Sequence, residues 1–129
     1  MGRRTRLGRG VRVNIDRGTV VLVELDPTVG HEQRGTRPCV AVSDPSVNVD
    51  QRFPLIAVVP VTGTPGVGAL YPEFSPGKSG LTKTSYALID HLRSIDKRRV
   101  RRIFGRITTH ELAALDQGLE LFLGLTEEP

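Results

Sequence analysis

"RGTVVLVELDPTVGHEQRGTRPCVAVS", residues 17–43, sets two apolar, β-branched runs on either side of a charged, glycine-marked connection. The first run, Thr19–Leu25, stops at Asp26-Pro27, and the second, Cys39–Ser43, stops at Asp44-Pro45. Runs of this length bounded by turn initiators predict two short strands. The connection runs from Asp26 to Arg37 and is closed by Pro38. Gly30 and Gly35 permit tight backbone within it, and Pro38 restricts Arg37 to an extended conformation that fixes the direction of its side chain. A guanidinium held in this way is a planar fork suited to a phosphate or a carboxylate. The alternative is structural: Glu32 pairs with Arg34 or Arg37 and fastens the loop.

Downstream, the strand pattern continues. "FPLIAVVPVT" (53–62) reads as a third strand, with Pro54 and Pro60 pointing to strand ends or to a sheet edge. The Gly- and Pro-rich stretch 62–80 leaves room for a short strand around Leu70–Phe74. "TSYALIDHLRSI" (84–95) alternates, with Tyr86, Leu88 and Leu92 on one face and Ala87, Ile89, His91 and Arg93 on the other. The second face turns polar at its far end, as a sheet surface does where it runs from a core into a site. "DKRRVRR" (96–102) predicts a short turn N-capped by Asp96. The period then changes. Leu112, Leu115, Leu119 and Phe122 recur at helical spacing, Thr108 and Glu111 form a capping box, and Gly124 supplies the stop. Short strands followed by one helix predict a mostly β fold: a small, strongly bent sheet or partly open barrel with a C-terminal helix against it.

A chain of 129 residues corresponds to about one domain. Its net charge of +4 is unevenly spread: five of the 18 basic residues lie in residues 1–12, leaving 13 against 14 acids. "MGRRTRLGRG" has almost nothing to bury, so residues 1–16 are expected to be a disordered basic extension, either an arm for RNA phosphates or a tail outside the function. Residues 17–125 then form the domain and 126–129 a short acidic tail. With no run of about 18 apolar residues and no apolar signal region, the expectation is a cytoplasmic protein without a membrane partner. The lone Cys39 has no partner for an internal disulfide and is expected to be a buried, inert thiol. His31, His91 and His110 show no metal-ligand spacing, and neither a phosphate-binding glycine loop nor a nucleophile elbow is present, so no metal and no cofactor are expected.

The opening stretch resembles the start of the MazF/PemK family of toxin endoribonucleases, whose pattern is R-G-[DET], a hydrophobic run, D-P-x-x-G-x-E-Q-x-G-x-R-P and an apolar strand. Gly30, Glu32, Gln33, Gly35, Arg37 and Pro38 fall in place. "VVPVTG" resembles the family's strand ending in its active-site threonine, and "LIDHLRSIDKRRV" its "EQIRSIDKxRL" segment; the resemblance covers about Arg17 to Leu125. It implies an SH3-like barrel with a C-terminal helix, shared with toxins that poison DNA gyrase. It also implies a homodimer that cuts single-stranded RNA at short motifs, and a cognate antitoxin. The catalytic pair it implies is Arg37 and Thr62. His31, Glu32, Gln33, Arg34, Gly35, Pro38, Asp90, His91 and Arg93 would contact substrate. Asp90-His91 departs from the family's usual Glu-Gln and brings a titratable ring.

Cleavage by the RNA's own 2'-hydroxyl, giving 2',3'-cyclic phosphate and 5'-hydroxyl ends, needs a proton acceptor, a donor to the departing oxygen and positive charge on the transition state. Arg37 supplies charge and Thr62 a hydroxyl. With a pKa above about 12, arginine is a poor base, whereas His31 or His91, near 6.5, is chemically better suited. Two other readings use the same barrel without cutting RNA: a gyrase poison acting by protein binding, or a non-catalytic interaction module.

Overall fold

The computed structural model describes residues 14–25 and 35–125. Its strands are β1 (Thr19–Leu25), β2 (Gly35–Ala41), β3 (Leu55–Thr62), β4 (Glu73–Phe74), β5 (Ser85–Ala87), β6 (Arg93–Asp96) and β7 (Val100–Arg106), with helices α1 (Pro45–Val49) and α2 (Thr109–Leu123). One curled sheet runs β4-β5-β3-β2-β1-β7, and β6 also pairs with β3. The pairings among described residues are antiparallel.

Strand alternation sorts the apolar side chains into two layers. Val20, Val40, Val59 and Val61 project toward α2 and pack with Phe74, Ile89, Leu115 and Leu119. Val21, Val23, Cys39, Ala41, Ile56 and Val58 project into the concave side of the curl with Ile95 and Val100. Full burial of each valine, leucine, isoleucine or phenylalanine side chain among them contributes about 1.5–3 kcal/mol. The expected capping box of α2 is present, with Thr108 and Glu111 bonded reciprocally, and Gly124 closes the helix in the left-handed conformation at φ 70°. The second oxygen of Glu111 also accepts the Ser75 N–H at 2.8 Å. A bidentate Arg17–Asp116 pair, at 3.0 and 2.5 Å, ties α2 to the sheet, and Arg17 Nε donates to Val42 O at 2.8 Å.

Several sequence expectations shift. β2 begins at Gly35 rather than Cys39, because Gly35, Thr36 and Arg37 pair with Leu25, Glu24 and Val23; the extended conformation that Pro38 imposes on Arg37 suits a strand as well as a loop. Pro60 lies inside β3. Its carbonyl accepts the Leu88 N–H at 2.9 Å, so its missing donor faces the interval between the β6 pairing, which ends at Val58, and the β5 pairing, which starts at Val61. The expected strand 84–95 is broken into β5 and β6 by a 3-10 turn at Ile89–His91, which lets both Ile89 and Leu92 pack on the helix side. The expected strand near 70–74 is reduced to Glu73–Phe74. The turn capped by Asp96 ends at Arg99, and Val100–Arg106 form an unexpected strand along β1. Asp44-Pro45 does more than stop a strand: Asp44 caps Ser46 N and Pro45 opens α1. Ile15, assigned to the basic extension, is buried in the concave layer, and its carbonyl accepts from Asn48 at 2.7 Å. Residues 1–13, 26–34 and 126–129 lie outside the described residues.

Candidate active site

Three strands deliver the candidate side chains to one end of the concave face. Arg37 on β2 lies opposite Val23, and Arg93 at the start of β6 lies opposite Val58. Val23 and Val58 both belong to the concave layer, and directly opposed residues share a face. The β2–β3 pairing joins Cys39 to Pro60, Val40 to Val59 and Ala41 to Val58. The same register carried two residues further sets Arg37 opposite Thr62. The ladder stops short of that pair for a chemical reason. Val42 donates its N–H to Ala57 O on β3 at 3.0 Å, and by alternation the amide position of Pro38 faces β3 too, where proline has no hydrogen to give. By that extension Arg37 and Thr62 lie on one face just beyond the last paired residues, Cys39 and Pro60.

Electrostatics tie the two arginines to one place. Burial pushes the Cys39 thiol up to about 12, against the opposing pull of the Arg37 and Arg93 charges. The thiol is buried and protonated at neutral pH, as expected, and Arg37 and Arg93 approach it from β2 and β6. Thr62 Oγ accepts the Thr64 N–H at 3.2 Å, which leaves its own hydroxyl proton to donate elsewhere.

Asp90 and His91 are placed differently. They sit on the 3-10 turn whose Ile89 packs against α2. Asp90 Oδ2 accepts from Tyr71 OH at 2.8 Å, a bond that raises the Tyr71 pKa, and His91 Nε2 lies 3.9 Å from Asp90 Oδ1. No hydrogen bond or ion pair described for them reaches Arg37, Thr62 or Arg93. His31, Glu32, Gln33 and Arg34 fall in 26–34, outside the described residues; Gly35 and Pro38 flank Arg37 on β2. The rest of the "RSIDKRR" segment has structural work. Asp96 caps Arg98 N at 2.8 Å, and Lys97 Nζ donates to Val47 O and Asp50 O at 2.8 and 2.9 Å, closing the end of α1. No group of three or more His, Cys, Asp or Glu side chains suited to a metal occurs among the described residues.

The sequence profile of the PemK-like, MazF-like toxins of type II toxin–antitoxin systems matches residues 16–123. The chain belongs to that family. Endoribonuclease MazF9 of Mycobacterium tuberculosis (strain ATCC 25618 / H37Rv) is 36% identical over 115 residues, covering 84% of this chain and 96% of the relative. Among solved structures, MazE-MazF (Form-II) from Deinococcus radiodurans superposes with a TM-score of 0.69 at 28% identity, covering 88% of this chain and 99% of the other. An endoribonuclease in complex with its cognate antitoxin, from a mycobacterial species, shares the fold with a TM-score of 0.69 at 21% identity, over 88% of this chain and 98% of the other. This chain is thus a MazF-type toxin endoribonuclease of a toxin–antitoxin system, and its curled sheet with a C-terminal helix is the MazF fold. No helix among its described residues is long and apolar enough to cross a membrane.

Proposed function

We propose that this MazF-family toxin cleaves single-stranded RNA at a short sequence motif, without a metal, by attack of the RNA's 2'-hydroxyl on the adjacent phosphorus. The reading is supported by the β2–β3 register, which, continued two residues past Cys39 and Pro60, brings Arg37 and Thr62 opposite each other, and by Arg93 on β6 opposite Val58 of the same face. The P–O5' bond breaks as the 2'-oxygen bonds to phosphorus, leaving a 2',3'-cyclic phosphate and a 5'-hydroxyl. Arg37 and Arg93 balance the charge that gathers on the phosphoryl oxygens, the role a metal would otherwise fill. The Thr62 hydroxyl donates a hydrogen bond to the departing 5'-oxygen, which takes up a proton from solvent water as it leaves. The proton of the 2'-hydroxyl goes to a histidine rather than to Arg37, whose pKa is far too high for a base. His31 belongs to the connection that rejoins the sheet two residues before Arg37, and His91 stands on the turn before Arg93.

A cognate antitoxin that covers this face would silence it; an acidic, partly disordered segment folding over the arginines fits the charge. Homodimerisation suits the exposed Leu121, Phe122, Leu123 and Leu125 at the end of α2. The protein acts in the cytoplasm, where its RNA substrate is.

Incubation with single-stranded RNA in EDTA tests the reading. Fragments ending in 2',3'-cyclic phosphate are expected. Intact RNA together with inhibited DNA supercoiling would instead favour the gyrase-poison alternative.

A further inference from the structure

The row of side chains holding Arg37 and Thr62 does not end at β3. Thr62 is directly opposite Tyr86 on β5, and Tyr86 is directly opposite Glu73 on β4. Their neighbours Val61, Ala87 and Phe74 all point into the layer beneath α2, so Thr62, Tyr86 and Glu73 point the other way, on the face of Arg37. Strands about 4.7–4.9 Å apart put the Tyr86 position roughly 10 Å from Arg37 along this row. Tyr86 is half-buried, and no hydrogen bond to its hydroxyl is described. Because no buried side-chain oxygen among the described residues lacks a partner, that hydroxyl reaches solvent. Glu73 is exposed at the end of the row.

We infer that Tyr86 and Glu73 form a nucleobase subsite beside the scissile phosphate, with Tyr86 as the stacking platform and Glu73 reading the base edge. This rests on the endoribonuclease reading of the same face. Single-stranded RNA is recognised mainly through bases splayed out and stacked on aromatic side chains. Aromatic residues are only 5% of this chain, and Tyr86 is the one directly in register with Thr62. A phosphate held between Arg37 and Thr62 leaves an adjoining nucleotide to project its base along the row toward β5. An ionised carboxylate offers acceptors only, so Glu73 would take an amino or imino N–H of the base and would repel a phosphate. The row thus runs from cation to hydroxyl to aromatic ring to carboxylate, in the order of phosphate, reacting oxygen, base face and base edge.

The test compares Tyr86→Phe, Tyr86→Leu and Tyr86→Ala for binding of a fluorescein-labelled, mixed-sequence, fully 2'-O-methylated RNA, and for cleavage of unmodified RNA. Tyr86→Phe should bind as wild type. Tyr86→Ala should weaken binding about tenfold to a hundredfold, the range for losing one stacked base. Tyr86→Leu keeps apolar bulk for the fold and should show the same loss, with an unchanged melting temperature excluding unfolding. Glu73→Gln should change the preferred base at one position of the mapped motif. If folded Tyr86→Leu binds and cleaves as wild type, the subsite is refuted even though the endoribonuclease reading stands. If the wild type leaves RNA intact, it is that underlying reading which fails.

Discussion

Along β3, Val59 and Val61 point beneath α2, where Phe74, Ile89, Leu115 and Leu119 close over them, while Val58 and Thr62 point to the concave face, where the apolar layer gives way to Arg37, Arg93 and Tyr86. Both faces come from the same period-2 pattern in the same strand. They differ in what covers them: a capped helix seals one, and the other ends where the Pro38 interruption closes the β2–β3 ladder. The helix face should therefore govern stability and the concave face catalysis, and substitutions on each side should separate the two.

The sharpest attempt to break that division is Arg37→Ala. Loss of one preorganised donor at a developing charge costs about a hundredfold to a thousandfold in rate, so cleavage should nearly vanish while circular dichroism stays at the parental level. Arg37→Lys should recover only part, since an ammonium keeps the charge but loses the planar fork. A folded Arg37→Ala that cuts RNA at the parental rate would sink the site assignment.

Thr62→Val comes next. It keeps the shape, loses the hydroxyl, and should slow cleavage about tenfold to a hundredfold, the worth of roughly 1.5–3 kcal/mol for a hydrogen bond to a charged group. Thr64→Val should matter less, because Thr64 reaches Thr62 through its backbone N–H. Equal losses in the two variants, measured as single-turnover rates, would shift the reacting hydroxyl away from Thr62.

Much of this division is legible in the residues themselves. The helix with its capping box and Gly124 stop follows from local spacing, as does the Asp96-capped turn. Arg37 and Thr62 come from motif resemblance, and their common face adds the register that only pairing supplies. What the sequence conceals depends on partners distant in the chain. "LIDH" alternates like a strand, yet the turn at Ile89–His91 wins because Ile89 and Leu92 both gain the helix layer. β7 hides behind "RRVRR", whose exposed Arg101 and Arg102 carry no apolar alternation; its place is fixed by pairing with β1 and by the Arg101–Glu24 ion pair. Tyr86 was visible only as one member of an alternating face, because its neighbours Thr62 and Glu73 are remote in sequence.

On the helix face, Gly118→Ala sets two effects against each other. Alanine gains about 1 kcal/mol of helix propensity over glycine. Its Cβ, however, would stand 2.3 Å from Ile89 Cδ1 and 2.6 Å from the Ala69 carbonyl oxygen, and the second contact is backbone. Overpacking of this kind costs about 1–3 kcal/mol, so the expected result is a lower urea midpoint with kcat unchanged in the folded fraction. A large fall in kcat at unchanged stability would show that the two faces are coupled through the turn at Ile89–His91.

The smallest effect is electrostatic and belongs to neither face. Hydrogen bonds from Arg98 hold the half-buried Asp96 carboxyl at about 2, down from 3.8. With its folded pKa depressed, the unfolded chain takes up the proton first as the medium is acidified. The contribution is thus complete above about pH 3.8 and disappears as pH falls through 2. Solvent screening keeps it small. Asp96→Asn should remove that share of the acid dependence and leave the neutral-pH cleavage rate unchanged, since Asp96 serves the turn rather than the arginine row. Urea unfolding at several pH values between 2 and 4 measures it. An Asp96→Asn variant that retains the full parental acid slope would mean the turn is held by Lys97 and its carbonyl partners alone.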